Sequence, residues 1–218
     1  MILGWSVVAV YVGLLAWTAA RSIDRPTVDR AALLDEAAPE RLVLAWERSR
    51  EATYVATGTY ERRSGVTGAA LSSEDVVAQR PPRRLHRQLG GVEGRDDDRL
   101  IVCPAPPPGE EDHPAPCQLG PPSGPTYEET VRREVDGLRS LTRGEKRLYS
   151  VRERSPGCFD LALLRIDPRA PFGVRASFCF DKATGAITAS TVRHEGGIAE
   201  IRVVTSIRTD VTEADLEP

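Results

Sequence analysis

Cys158-Phe159-Asp160-Leu161-Ala162-Leu163-Leu164 and Val174-Arg175-Ala176-Ser177-Phe178-Cys179-Phe180-Asp181 are the two runs on which the fold is decided. Both alternate apolar and polar side chains, as half-buried strands do. Paired antiparallel about the turn Asp167-Pro168-Arg169-Ala170, they set Cys158 opposite Cys179 and Phe159 opposite Phe178. The same register matches Leu161 with Ala176 and Leu163 with Val174. One face of the hairpin is then apolar, while the other carries the cysteine pair, Asp160, Ser177 and Arg175.

More strands surround this hairpin. Leu148 to Glu153 precedes it, and Ile187 to Glu195 and Ile198 to Ile207 follow it. A two-residue loop at Gly196-Gly197 would place Arg193 opposite Glu200 and Val192 opposite Ile201. Upstream, Thr126-Tyr127-Glu128-Glu129 has the spacing of a capping box, and Val131, Val135, Leu138 and Leu141 continue it at helical period. Further upstream, Pro39 opens a helix whose one side carries Leu42, Val43, Ala45, Trp46 and Ser49. Trp46 there reads as a packing anchor. Strands are expected over Ala52 to Arg63, Ser73 to Gln79, Arg84 to Leu89 and Leu100 to Cys103, with Gly90 to Asp98 a polar connection. The order of helix, four strands, insertion, helix and five strands predicts an α+β domain. Its centre would be one curved antiparallel sheet, a half-barrel of eight or nine strands with the helices on its concave face.

Residues 1–20 carry no charge, and as a helix would span about 30 Å, the thickness of a bilayer core. Trp5 and Trp17 lie towards the ends of this segment, as interfacial aromatics do. The expectation is one N-terminal transmembrane anchor, a linker over 21–38, and a domain over 39–218. A cleavable signal segment is the rival reading, since Thr18-Ala19-Ala20 is a tolerable cleavage site, but no Lys or Arg precedes the apolar run. Arg21, Arg25 and Arg30 follow the span and favour a cytoplasmic domain. The even number of cysteines argues for the oxidising, extracytoplasmic side, and that location is the expectation here.

Residues 104–125 form a proline-rich insertion that regular structure cannot accommodate. Cys103 and Cys117 bracket much of it, so the predicted disulfides are Cys103–Cys117 and Cys158–Cys179. A zinc site at Cys103, Cys117 and His113 would lack a fourth ligand. His86, His113 and His194 are scattered and read as solvated residues, and no nucleophile, metalloprotease or P-loop motif occurs. The expectation is therefore no enzyme, no metal and no cofactor. A net charge of −3 with dispersed arginines excludes bulk attraction to nucleic acid.

The Trp46 helix, the strand Ala52-Thr53-Tyr54-Val55-Ala56-Thr57-Gly58 and the hairpin Phe178-Cys179-Phe180-Asp181 with Thr184-Gly185 together resemble the half-open barrel proteins of the lipoprotein-carrier type. That is the LolA/RseB/LppX-like superfamily of bacterial cell envelopes. The likeness covers residues 40–218 as a pattern of elements, and no lipobox cysteine follows the hydrophobic segment. It implies a membrane-anchored extracytoplasmic domain that holds a lipid or acyl chain on the concave face. The lining would be Phe159, Leu161, Leu163, Val174, Phe178, Phe180 and Ile187, residues that serve equally well as an ordinary core. The alternative is a sensor or protein-interaction module whose own helices fill that face. The two differ in whether the face is open.

Overall fold

A computed structural model describes residues 35–106, 116–121, 124–168 and 170–218. The expected anchor over 1–20, most of the 21–38 linker and residues 107–115 of the insertion lie outside them. Among the described residues no helix is long and apolar enough to cross a membrane.

Two helices and eleven strands are described. Helix α1 is Ala38–Glu51, followed by β1 (Tyr54–Arg63), β2 (Ala70–Arg80), β3 (Arg83–Gln88), β4 (Gly91–Asp96), β5 (Arg99–Cys103) and β6 (Gln118–Leu119). Helix α2 is Tyr127–Thr142, followed by β7 (Tyr149–Ser155), β8 (Cys158–Leu163), β9 (Arg175–Phe180), β10 (Ile187–Arg193) and β11 (Ala199–Arg208). All strands join one sheet in the order β6-β5-β4-β3-β2-β1-β11-β10-β9-β8-β7. Each half is thus a meander of neighbouring hairpins, and the pairing of β1 with β11 sews the halves together.

The strand total exceeds the expected eight or nine. Gly91–Asp96, expected to be a connection, is a strand because it sits between β3 and β5 and completes both ladders. The missing side chain at Gly94 matters to the pairing: a Cβ there would collide with the Arg84 carbonyl and with the Leu85 side chain. The β8–β9 register is the expected one, with Cys158 opposite Cys179, Phe159 opposite Phe178 and Leu161 opposite Ala176. The β10–β11 register is one residue off: Val192 faces Glu200 and Arg193 faces Ala199. Both Gly196 and Gly197 take positive φ, so the loop spans three residues and His194 N–H closes it on the Ile198 carbonyl at 2.8 Å.

Curvature follows from α2. Its first residue receives a hydrogen bond acceptor from the β4–β5 turn, Tyr127 N–H to Asp97 at 3.3 Å, while Val135 and Leu138 pack with Tyr149 and Val151 of β7. Strands β4 and β7 are eight positions apart in the sheet, about 38 Å if it were flat. A 16-residue helix is about 24 Å long. The sheet must therefore curl around α2, leaving the two edges on opposite sides of it.

Sequence sets both helices. Thr126 accepts from the Glu129 N–H and Glu129 returns the bond to the Thr126 N–H, completing the capping box. At the other end of α1, fully buried Gln79 donates to the carbonyls of Ser49, Arg50 and Ala52 at 2.7 to 2.9 Å. These are carbonyls that a helix terminus leaves without partners. On the convex face, Leu216 packs on Val55 and Ala78, and Arg83 and Arg87 donate to the carbonyls of Leu216 and Asp215. The last turn of the chain thereby covers the back of β1 to β3.

Candidate functional site

The concave face divides into two unlike halves. Over β7 to β10 it is apolar, and both helices lie on it: Leu42 and Val43 of α1 and Val135 and Leu138 of α2 join Phe159, Leu161, Leu163, Phe178, Phe180 and Ile187 in one core. None of those six strand residues is more than 9% exposed, and Val174 is packed at the margin. Six of the seven side chains expected to line a ligand cleft are thus buried in this core, and Val174 packs against it. Trp46 closes the cluster with edge-on contacts to Phe172, Phe178 and Phe180, centroids 5.3 to 6.4 Å apart.

Over β3 and β4 the same face is polar and open, with the apolar Leu100 and Val102 of β5 beyond them. Strand alternation puts Arg84 and His86 on it, opposite Arg95 and Glu93 of β4, which in turn stand opposite Leu100 and Val102 of β5. The first two turns of α2 face them with Tyr127, Thr130, Val131 and Glu134, and α1 contributes Arg50. A cavity of about 180 Å³ lies between. It shares Tyr127 and Val131 with a larger one of about 470 Å³ at Pro81 and Pro82, and His86 and Glu93 with one of about 230 Å³ at Gln88 and Gly91. Together they make a trough along the length of β3.

Charge in the trough is unevenly paired. Arg50 donates to Glu134 at 2.7 Å and lies 5.0 Å from the Trp46 ring centre. Arg95 donates to the carbonyls of Pro125 at 2.7 Å and Asp97 at 3.1 Å. Arg84 differs: its Nε is buried without a hydrogen-bond partner. Burial, with the Arg50 charge nearby, pushes the Arg84 guanidinium down to about 10, so it stays a cation at neutral pH. Burial also pushes the Tyr127 phenol up to about 12, and its O–H donates to the Arg50 carbonyl at 2.6 Å. Burial would raise the Glu134 carboxyl, but Arg50 and hydrogen bonds from Arg50 and Trp46 bring it below its ordinary value.

Beside the trough is a buried ionic knot. Asp75 of β2 bonds His86 Nε2 at 2.7 Å and accepts from Arg202 of β11. His86 is therefore not the solvated residue that the sequence suggested, because the β2–β3 register brings it diagonally to Asp75. His194 stays at the surface, 3.4 Å from Glu200. His113 lies outside the described residues. The two expected disulfides, Cys103–Cys117 and Cys158–Cys179, are both present. No group of three or more metal-ligating side chains occurs among the described residues.

Arg50, Arg84, Arg95, Tyr127 and Glu134 had not been singled out from sequence. The available signal was β3 itself, Arg83-Arg84-Leu85-His86-Arg87-Gln88, in which the face opposite Leu85 is wholly polar. Such a strand within a helix-covered sheet implies a wet gap.

No known protein family matches the chain, and no curated protein does. Solved structures do. The Pseudomonas aeruginosa MucA/MucB complex matches at 20% identity and TM-score 0.47, over 83% of this chain and 60% of that one. MucB alone matches at 18% and 0.44, over 83% and 62%. A LolA superfamily protein from Nitrosomonas europaea matches at 6% and 0.35, over 83% and 98%. The chain spans about 60% of the length of the MucB chains.

Proposed function

We propose that the chain is an extracytoplasmic, membrane-tethered binding module that holds a polypeptide partner in the open polar half of its concave face. The observation that carries this reading is the division of that face. Its own helices occupy the apolar half, so an acyl chain placed there would have to displace Leu42, Val43, Val135 and Leu138 from a packed core. The trough over β3 to β5 is open, lined by hydrogen-bonding groups and shaped along a strand, which suits an extended peptide. Two disulfides support an oxidising location. No catalytic step and no cofactor belongs to this proposal.

The test uses the full chain in detergent, with native mass spectrometry for bound lipid and a tethered panel of unrelated peptides for binding. The expected result is protein free of acyl lipid that binds a subset of peptides. Thr130→Trp, which fills the trough from α2, should weaken that binding at least tenfold while circular dichroism stays unchanged. Acyl lipid that co-purifies and disappears in a still-folded Phe178→Asp variant would sink the proposal in favour of the lipid reading.

A further inference from the structure

We propose that the middle cavity of the trough takes a carboxylate side chain of the bound peptide, with Arg84 as its receptor. This rests on the trough being a peptide site, as proposed above, and adds what the peptide must carry.

The charge inventory points that way. Three guanidiniums, those of Arg50, Arg84 and Arg95, border the middle cavity against Glu134 and Glu93, while the carboxylates of Glu51, Asp97 and Glu128 line the cavity at Pro81–Pro82. Arg50 is already held by Glu134, and Arg95 is committed to two backbone carbonyls. Arg84 makes no ion pair among the described residues, and its Nε has no acceptor. A guanidinium is a planar fork of donors that matches a carboxylate in two parallel hydrogen bonds. Tyr127 cannot supply the missing negative charge, since its phenol remains protonated and its O–H is engaged with Arg50. A purely structural arginine at this depth would be expected to have its donors paired, as Arg50 and Arg95 do.

Shape selects a peptide over an isolated anion. The cavities at Pro81–Pro82, at Arg84–His86 and at Gln88–Gly91 succeed one another along β3. That strand is six residues long, about 20 Å, the reach of an extended segment of about six residues. The Arg84 cavity is in the middle, and about 180 Å³ accommodates one carboxylate side chain with its neighbouring backbone. Leu100, 48% exposed beside Arg95, offers an apolar contact for the stem of such a side chain.

The probes are a fluorescein-labelled nonapeptide of glycine and serine carrying two glutamates separated by one glycine, and its glutamine counterpart. Anisotropy is read with the full chain at low and at physiological salt. The glutamate peptide should bind at least tenfold tighter than the glutamine peptide, with the difference shrinking as salt rises. Arg84→Gln should erase the difference and Arg84→Lys restore part of it. Arg132→Gln, on the outer side of α2, should leave it intact. Thermal midpoints confirm that each variant is folded. Equal binding of the two peptides, or a difference that survives Arg84→Gln, overturns this inference and leaves the peptide site standing. Absence of binding by either peptide counts against both. Arg84-dependent binding to phosphatidylglycerol vesicles without glutamate-peptide binding also overturns it, assigning the trough to a membrane surface.

Discussion

Asp75 shows how much one buried carboxylate organises. It has no exposed surface, and it ties β2 to β3 through His86 and to β11 through Arg202, across the seam between the two halves of the sheet. Burial alone would raise its pKa, but the His86 hydrogen bond and the Arg202 charge outweigh that and lower it. A lowered folded value means that its stabilisation is fully present above the unfolded value, about 4, and is lost as pH falls through the folded value. Asp75→Ala should cost about 3–5 kcal/mol at pH 7, because it leaves the largely buried Arg202 guanidinium without its anion and the His86 ring without its partner. Asp75→Asn should flatten the dependence of the urea midpoint on pH between 2 and 5. A wild-type midpoint that is level across that range would contradict this account. None of it was legible in sequence, since Asp75, His86 and Arg202 meet only through strand pairings that their own neighbours do not specify.

At the scale of elements, legibility followed the strength of the local signal. The capping box at Thr126 and the Phe159 and Phe178 strands were readable because helix period and strand alternation are written in consecutive residues. Strand β4 was not, having Val92 as its single apolar side chain between two glycines, so its pairing comes from β3 and β5. The β10–β11 turn failed by one residue, as two adjacent glycines permit a loop of either length. The same regularity that made the β8–β9 hairpin readable predicts its chemistry. Cys158 and Cys179 are direct partners on the convex face, behind the aromatic core. Replacing both with Ser should lower stability by about 2–5 kcal/mol, read from guanidinium midpoints, by freeing the unfolded chain. A midpoint unchanged from wild type would mean that the bridge adds nothing beyond the hairpin's own packing.

For the whole molecule, the half-barrel with helices on its concave face was foreseen, and the division of that face into a covered and an open half was not. Sequence identifies which strand faces are apolar, but not whether helix or ligand covers them, because both leave the same alternation. Location also rests on the whole chain. Arginines after residue 20 oppose export, while two formed disulfides favour it. Alkaline phosphatase fused after Pro218 should therefore be active in a bacterial host, and a cytoplasm-only fluorescent reporter at the same position dark. The opposite pattern would place the domain in the cytoplasm. The order of the strands has a further consequence, in time rather than in space. Every pairing but one joins segments adjacent in the chain, so each meander can assemble from short loops, whereas β1 and β11 must find each other across almost the whole domain. During N-to-C emergence the first meander is complete long before its partner strand exists. Throughout that interval Tyr54 to Arg63 offers a ten-residue unpaired edge, the place where two nascent copies would stick to each other.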